Sequence, residues 1–292
     1  MKISNKDKLP EVLVRAISAN WYSGEGEQRF ASVTQLIKPT KITVLERRHW
    51  NELSRDATDL IWSLMGSAMH KVLEAGEDGN SLSEERVSAI VHNAKITGGV
   101  DLYEDGVITD FKFIGVWSHT SGSRKEEWEK QLNMYAYLYR ELGFEVKELR
   151  ILAIFRDWSK RRSATEANYP KQVEVIPVEL WPLERAKRYI AERVLEIKEA
   201  LELPDDMITE CSAAERWQTA PQYAVYKAGG NRALRVFANE PEAREFMEGH
   251  KEAASLSLVI RQEAPRRCVD YCPVNGFCHY YRALTQTESL AS

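Results

Sequence analysis

Apolar positions recur at helical spacing over residues 50–75, where Leu53, Ala57, Leu60, Ile61, Leu64, Ala68 and Val72 share one face. Gly76 and Gly79 follow and predict the end of that helix. The pattern then changes to strands. Residues 94–103 and 107–113 flank Asp105-Gly106, the signature of a two-residue hairpin. Residues 124–142 read as a helix with Trp128, Leu132, Tyr135, Tyr139 and Leu142 on one side. Two strands, 146–155 and 173–178, lead to a long amphipathic helix over 183–201 behind Pro182, a good first-turn residue. Between Cys211 and Cys268 the chain reads as an insert. Strands at 223–227 and 233–237 bracket Gly229-Gly230-Asn231, followed by a helix at 241–248 and a strand at 256–260. Residues 1–50 give no clear pattern beyond a short helix over 9–19. The order helix, strands, helix, strand predicts an α/β fold with a mixed central sheet flanked by helices.

Composition narrows the function classes only modestly. The 292 residues carry a net charge of −4, so any nucleic-acid contact must come from local basic patches. No apolar run approaches the roughly 20 residues that span a bilayer, and the first residues lack the apolar core of a signal peptide. The expectation is a soluble cytoplasmic protein of a bacterial or phage-infected cell, with no membrane partner.

The hairpin carries the first candidate chemistry. A two-residue turn at Asp105-Gly106 pairs Tyr103 with Ile108, Leu102 with Thr109 and Asp101 with Asp110. Two carboxylates across a ladder repel, so they call for a shared proton or a cation. A hard divalent ion such as Mg²⁺ or Mn²⁺ suits oxygen ligands. Alternation puts Lys112 on the same face as Asp110. A lysine there can orient a water or steady a phosphate oxygen. Asp-x-Lys alone also fits an ordinary charged hairpin, but Val107, Ile108, Phe111 and Phe113 make this strand too apolar for a solvated loop.

Gly98-Gly99-Val100-Asp101 followed by Ile108-Thr109-Asp110-Phe111-Lys112 resembles motifs II and III of the PD-(D/E)XK nucleases, closest to the RecB/AddB-like branch. Gly66-Ser67-Ala68-Met69-His70 resembles the Gly-x-x-x-His element of that branch, and Gln131-Leu132-Asn133-Met134-Tyr135 its Gln-x-x-x-Tyr element. Four short motifs thus occur in the family's order over residues 66–142. The resemblance implies a restriction-endonuclease-like core in which His70, Asp101, Asp110 and the Phe111 carbonyl hold the metal. It also implies that Lys112 acts with Asp101 and Asp110 in catalysis, and that Gln131 and Tyr135 contact nucleic acid. Gly66, one turn before His70, would allow close approach of another backbone or of DNA. His49, His92, His119, His250 and His279 have no comparable setting and read as structural or surface residues.

Cys268, Cys272 and Cys278 resemble the C-terminal cysteines that join a distant fourth around a [4Fe–4S] cluster in relatives of that branch, CRISPR-associated nucleases among them. One departure matters. In those relatives the fourth cysteine precedes the first helix, whereas here the only other cysteine is Cys211. A four-cysteine cluster is the expectation, with Zn²⁺ or unligated buried thiols as the other readings. Arg156, Lys160, Arg161 and Arg162, interleaved with Trp158, form a basic loop that could grip phosphates and stack on a base, or simply face solvent.

The expected organisation is an N-terminal segment (1–50), a nuclease core (51–210) and a cysteine-ligated cap (211–292) with a small α+β insert (212–267). The resemblance implies a Mg²⁺- or Mn²⁺-dependent DNA exonuclease acting on single strands or duplex ends in recombination, repair or phage DNA processing. No helicase or recombination partner is identified. A structure-specific endonuclease or nickase, a non-catalytic DNA-binding module and a zinc-stapled interaction protein are the competing classes.

Overall fold

In the computed structural model the chain divides into two units, Met1–Pro204 and Asp205–Ser292. The structure describes residues 1–21, 29–76, 82 and 85–290, so Gly79 lies outside the described residues. Among the described residues no helix is long and apolar enough to cross a membrane.

The first unit is a mixed α/β fold. Its elements, in order, are β1 (Lys2–Ser4), α1 (Glu11–Trp21), β2 (Ala31–Ser32), α2 (Val33–Leu36), α3 (Thr40–Arg48), β3 (Ser54–Asp56) and α4 (Ile61–Glu74). Then come β4 (Arg86–Val91), β5 (Ala94–Gly99), β6 (Leu102–Glu104), β7 (Val107–Ile114), α5 (Val116–Thr120) and α6 (Lys125–Glu141). The unit closes with β8 (Glu148–Phe155), α7 (Lys160–Thr165), β9 (Val173–Val178) and α8 (Leu183–Glu202). The main sheet has the order β6-β7-β8-β9; β7 and β8 run parallel, joined by the α5–α6 crossover, and the outer pairs are antiparallel. A smaller sheet has the order β2-β5-β4. Helix α6 packs on both sheets and on α8, and its central residues are buried nearly all round, as its apolar content requires.

Two elements depart from the sequence expectation. The helix over 50–75 begins only at Ile61. Leu53, Ala57 and Leu60 are buried as their spacing suggests, but Leu53 and Ala57 flank the strand β3 and Leu60 ends a 3₁₀ turn. Asp56 explains the break. Its carboxylate accepts from the Ser4 hydroxyl and from the Lys6 and Thr58 amides, which holds the chain extended. The strand expected over 94–103 is also divided, because the ladder stops at Gly99 and resumes at Leu102. Upstream, β4 pairs with β5 through a His92-Asn93 turn in which both residues have positive φ (47° and 57°). Asparagine tolerates that conformation, and the hairpin lies outside the sequence expectation.

The second unit contains β10 (Gln222–Lys227), β11 (Ala233–Phe237), α9 (Glu240–Glu248), β12 (Leu256–Arg261) and α10 (His279–Leu290). The sheet β11-β10-β12 is antiparallel, and α9 covers one face through Ala243, Phe246 and Met247 against Val225 and Phe237. Asn239 caps α9 by accepting from the Glu242 amide.

Candidate active site

The Asp105-Gly106 turn adopts positive φ at both residues (50° and 87°), the geometry of a two-residue hairpin turn. The register is Glu104 to Val107, Tyr103 to Ile108 and Leu102 to Thr109. There the ladder ends, so Asp101 does not sit in a β pair with Asp110. Instead Asp101 Oδ2 accepts from the Phe111 amide at 2.6 Å. Phe111 lies just beyond the last rung of β6, and its amide would otherwise lack a partner on that side. In an extended strand the N–H and C=O of one residue point the same way. The Phe111 carbonyl therefore faces the Asp101 side, away from β8. Oδ1 of Asp101 lies 3.3 Å from Nδ1 of His70, whose ring meets Phe111 edge-on at 6.0 Å. Helix α4 thus brings His70 to the open end of the hairpin.

Asp110 and Lys112 point from β7 toward α6. Asp110 is 3% exposed. Its Oδ1 accepts from Gln131 Nε2 at 3.1 Å, and Lys112 Nζ lies 2.5 Å from its Oδ2. That ammonium is the charge against which the buried Oδ2 is held. Gln131 closes the group, accepting from Lys112 at 3.3 Å and approaching the Tyr135 hydroxyl at 3.1 Å. Burial raises the Asp110 carboxyl to about 6; Lys112 and His70 pull it down, and Asp101 pushes it up.

Among the described residues no three His, Cys, Asp or Glu are gathered tightly enough to hold a metal ion as they stand. The donor set nonetheless fits a hard divalent cation. It offers a buried carboxylate oxygen that already faces a positive charge, a second carboxylate, an imidazole and a carbonyl on an unpaired strand edge. Asp110 would have to exchange the Lys112 contact at Oδ2 for the cation.

The other expected residues fall into three groups. Gln131 and Tyr135 are buried (7% and 5% exposed); Gln131 is bonded to Asp110, Lys112 and the Tyr135 hydroxyl, so within the chain it orients Asp110 and Lys112 and Tyr135 supports it. The basic loop is in fact the short helix α7, capped by Ser159, which accepts from the Arg162 amide. Lys160 and Arg161 are exposed there, whereas Arg162 forms a two-point ion pair with Glu166 at 2.7 and 2.9 Å and lies over Tyr169. Trp158 is half-buried, and its indole N–H donates to Pro170 O. Arg156 instead lies over Trp62, its guanidinium carbon 4.0 Å from the ring centroid. Trp62 was not among the expected residues. Its signal was a large aromatic on the otherwise solvent-facing stretch of the His70 helix.

Gly98 and Gly66 turn out differently. A Cβ at Gly98 would lie 2.8 Å from Tyr135 Cε1 and 2.9 Å from Leu138 Cδ1, so this glycine admits α6 against β5. At Gly66 nothing lies within 4 Å of the Cβ position. The expected approach of another backbone is therefore absent within the described chain.

In the second unit none of the four cysteines is in a disulfide. Cys268 is buried in a single π-helical turn (Arg267–Tyr271), Cys278 follows a 3₁₀ turn (Asn275–Phe277), and Cys211, Cys272 and Cys278 are half-buried. Burial raises the Cys211 thiol to about 12 and the Cys272 thiol to about 11, and the neighbouring cysteines add to both. Cys268 is also raised, chiefly by burial. All four thiols thus lie within one another's field. Arg216 donates to the Cys211 carbonyl at 2.6 Å and Asn275 to the Cys268 carbonyl at 3.1 Å, which fixes both backbones.

No family model matches the chain, and no curated protein does. Several solved structures overlap part of it. A protein described as SSO0001 shares 15% identity at a TM-score of 0.45, over 63% of this chain and 84% of its own. An alkaline exonuclease from Laribacter hongkongensis shares 10% at 0.35, over 59% and 89%. A putative exonuclease from Eubacterium rectale shares 14% at 0.36, over 75% and 94%. These likenesses are partial, and the functional reading rests on the side chains.

Proposed function

We propose that the chain is a divalent-metal-dependent DNA nuclease of the PD-(D/E)XK type with a restriction-endonuclease-like core. The observation that carries this reading is the buried Asp110–Lys112 pair on β7, bridged by Gln131, with Asp101 and His70 meeting beside it. A structural ion pair gains nothing from a second carboxylate that raises the first, whereas a cation site needs one.

His70, Asp101, Asp110 and the Phe111 carbonyl would hold Mg²⁺ or Mn²⁺, which when bound supplies positive charge for the phosphodiester as it is hydrolysed. The chain does the positioning. Asp101 fixes the Phe111 peptide through its amide. Gln131 holds the Asp110 carboxylate from one oxygen, leaving the other oxygen toward Lys112. The Lys112 ammonium would orient the attacking water and steady charge on the phosphate. The exonuclease form of the reading, and a RecB/AddB-like lineage, rest on the motif resemblance. The second unit is read as a cap in which Cys211, Cys268, Cys272 and Cys278 hold a [4Fe–4S] cluster, with Zn²⁺ as the alternative; four cysteines outside any disulfide, three of which act electrostatically on Cys211, support a thiolate-bound group, although the thiols would have to draw together around it.

The test is cleavage of end-labelled linear and circular single-stranded DNA with Mg²⁺, Mn²⁺ or EDTA, using wild type and Lys112→Ala. Wild type should cut linear DNA only with metal, and Lys112→Ala should lose at least about a hundredfold in rate, the scale of a lost acid–base or water-positioning group, while still melting in one cooperative transition above the assay temperature. Wild-type rates in the variant would remove Lys112 from the chemistry. Cleavage of circles would favour an endonuclease.

A further inference from the structure

Trp62 is 54% exposed on α4, the helix that also carries His70. A tryptophan of that exposure on a helix with no buried residue is not serving the core. One face of its ring is already occupied by the Arg156 guanidinium, 4.0 Å from the centroid. Such a stack limits the freedom of the indole and places a positive charge against it. Arg156 is itself fixed, because its amide donates to Ile114 O at the end of β7 and it directly follows β8. The pair is thus mounted on the His70 helix and on the ends of the two central strands, β7 being the strand that carries Asp110 and Lys112.

The spacing suits a nucleic-acid strand. Trp62 precedes His70 by eight positions, which is about 12 Å along the axis and roughly 80° around it. At about 3.4 Å per nucleotide along a strand, that is roughly four nucleotides from His70. A nucleobase needs a flat apolar face, and its phosphate needs a nearby cation; a ring backed by a guanidinium offers both.

We propose that Trp62, braced by Arg156, is a stacking platform for a base of single-stranded DNA entering the site. The proposal rests on the nuclease reading for the identity of the strand, and binding without cleavage tests it separately. In EDTA, wild type should bind a fluorescent dT12 oligonucleotide, measured by anisotropy. Trp62→Ala should bind roughly 5- to 150-fold more weakly, the loss of one base–aromatic stack, and Trp62→Phe should recover most of that. An oligonucleotide of abasic sites should bind wild type and Trp62→Ala alike. Trp50→Ala, which removes another exposed tryptophan (43%), should behave as wild type, and thermal melts of all variants should coincide. Equal dT12 affinity for Trp62→Ala and wild type overturns the platform, as does a loss that persists on the abasic strand or an absence of dT12 binding by wild type. Binding that depends on Trp62 without any metal-dependent cleavage would keep the platform and sink the nuclease reading.

Discussion

Burial raises the Asp110 carboxyl to about 6 although the Lys112 ammonium stands 2.5 Å away, so desolvation and Asp101 together outweigh the ion pair. The native chain then keeps its proton to higher pH than the unfolded chain does. Metal-free stability should fall as pH rises from the ordinary 3.8 through about 6 and stay low at neutrality. Asp110→Asn keeps the shape and still accepts from Gln131. In EDTA at neutral pH it should melt as high as wild type or higher, by roughly 2–4 °C per kcal/mol recovered. It should also lose the gain in melting temperature that Mg²⁺ or Mn²⁺ gives wild type, since a ligand stabilises only the form that binds it. A variant that melts lower and still gains from metal would separate the two carboxylates. Gly98 makes a second claim at this scale. Gly98→Ala forces Tyr135 and Leu138 aside, and both are buried. It should cost about 1–3 kcal/mol by urea denaturation and slow cleavage, because Tyr135 supports Gln131. Gly99→Ala is the control, since its nearest neighbour is the Arg86 Cγ at 3.9 Å.

Elements were legible where local chemistry and packing agree. The Asp105-Gly106 turn fixes its register because glycine and aspartate accept positive φ, and the pairing of Tyr103 with Ile108 follows from it. Helix α6 and strand β8 lie close to their expected places because each carries a long apolar pattern. The start of α4 was not legible, since the side-chain bonds of Asp56 to Ser4 and Lys6 join segments far apart in sequence. The bond from Asp101 to the Phe111 amide was hidden too, because a strand pattern does not show where a ladder stops. Helix α7 reads as a loop in the sequence, as six residues are too few for a periodic signal. Its chemistry can still be tested. Lys160, Arg161 and Arg162 are all exposed, but Arg162 is also held by Glu166. Replacing Lys160 and Arg161 with alanine should flatten the salt dependence of single-strand binding by about 0.7 in slope for each phosphate no longer neutralised. Arg162→Ala should change that slope less; an equal change would mean that Glu166 releases its arginine to DNA.

At the scale of the whole molecule, the two candidate chemistries fall in different units: the acid pair in Met1–Pro204 and the four thiols in Asp205–Ser292. The position of Cys211 was readable as the only partner for the C-terminal three, and its place in the same unit required the fold. Burial, with the neighbouring cysteines, holds the Cys211, Cys268 and Cys272 thiols protonated, so no thiolate forms cheaply at these three unless a cation takes the charge. Cys268→Ala distinguishes a ligated group from plain thiols. If the cysteines only fill space, replacing one buried sulfur by a methyl-sized side chain costs about 1–2 kcal/mol and leaves proteolysis of the unit nearly unchanged. A cluster ties Cys211 to a segment beyond the whole β10–β12 sheet, so its loss should expose residues 205–292 to limited proteolysis while the first unit resists as before. Anaerobically purified wild type should be brown with about four irons per chain, and the variant should be pale. Colourless wild type with one zinc would replace the cluster by Zn²⁺. Colourless, metal-free protein whose protease pattern matches that of Cys268→Ala would leave the thiols as ordinary packing.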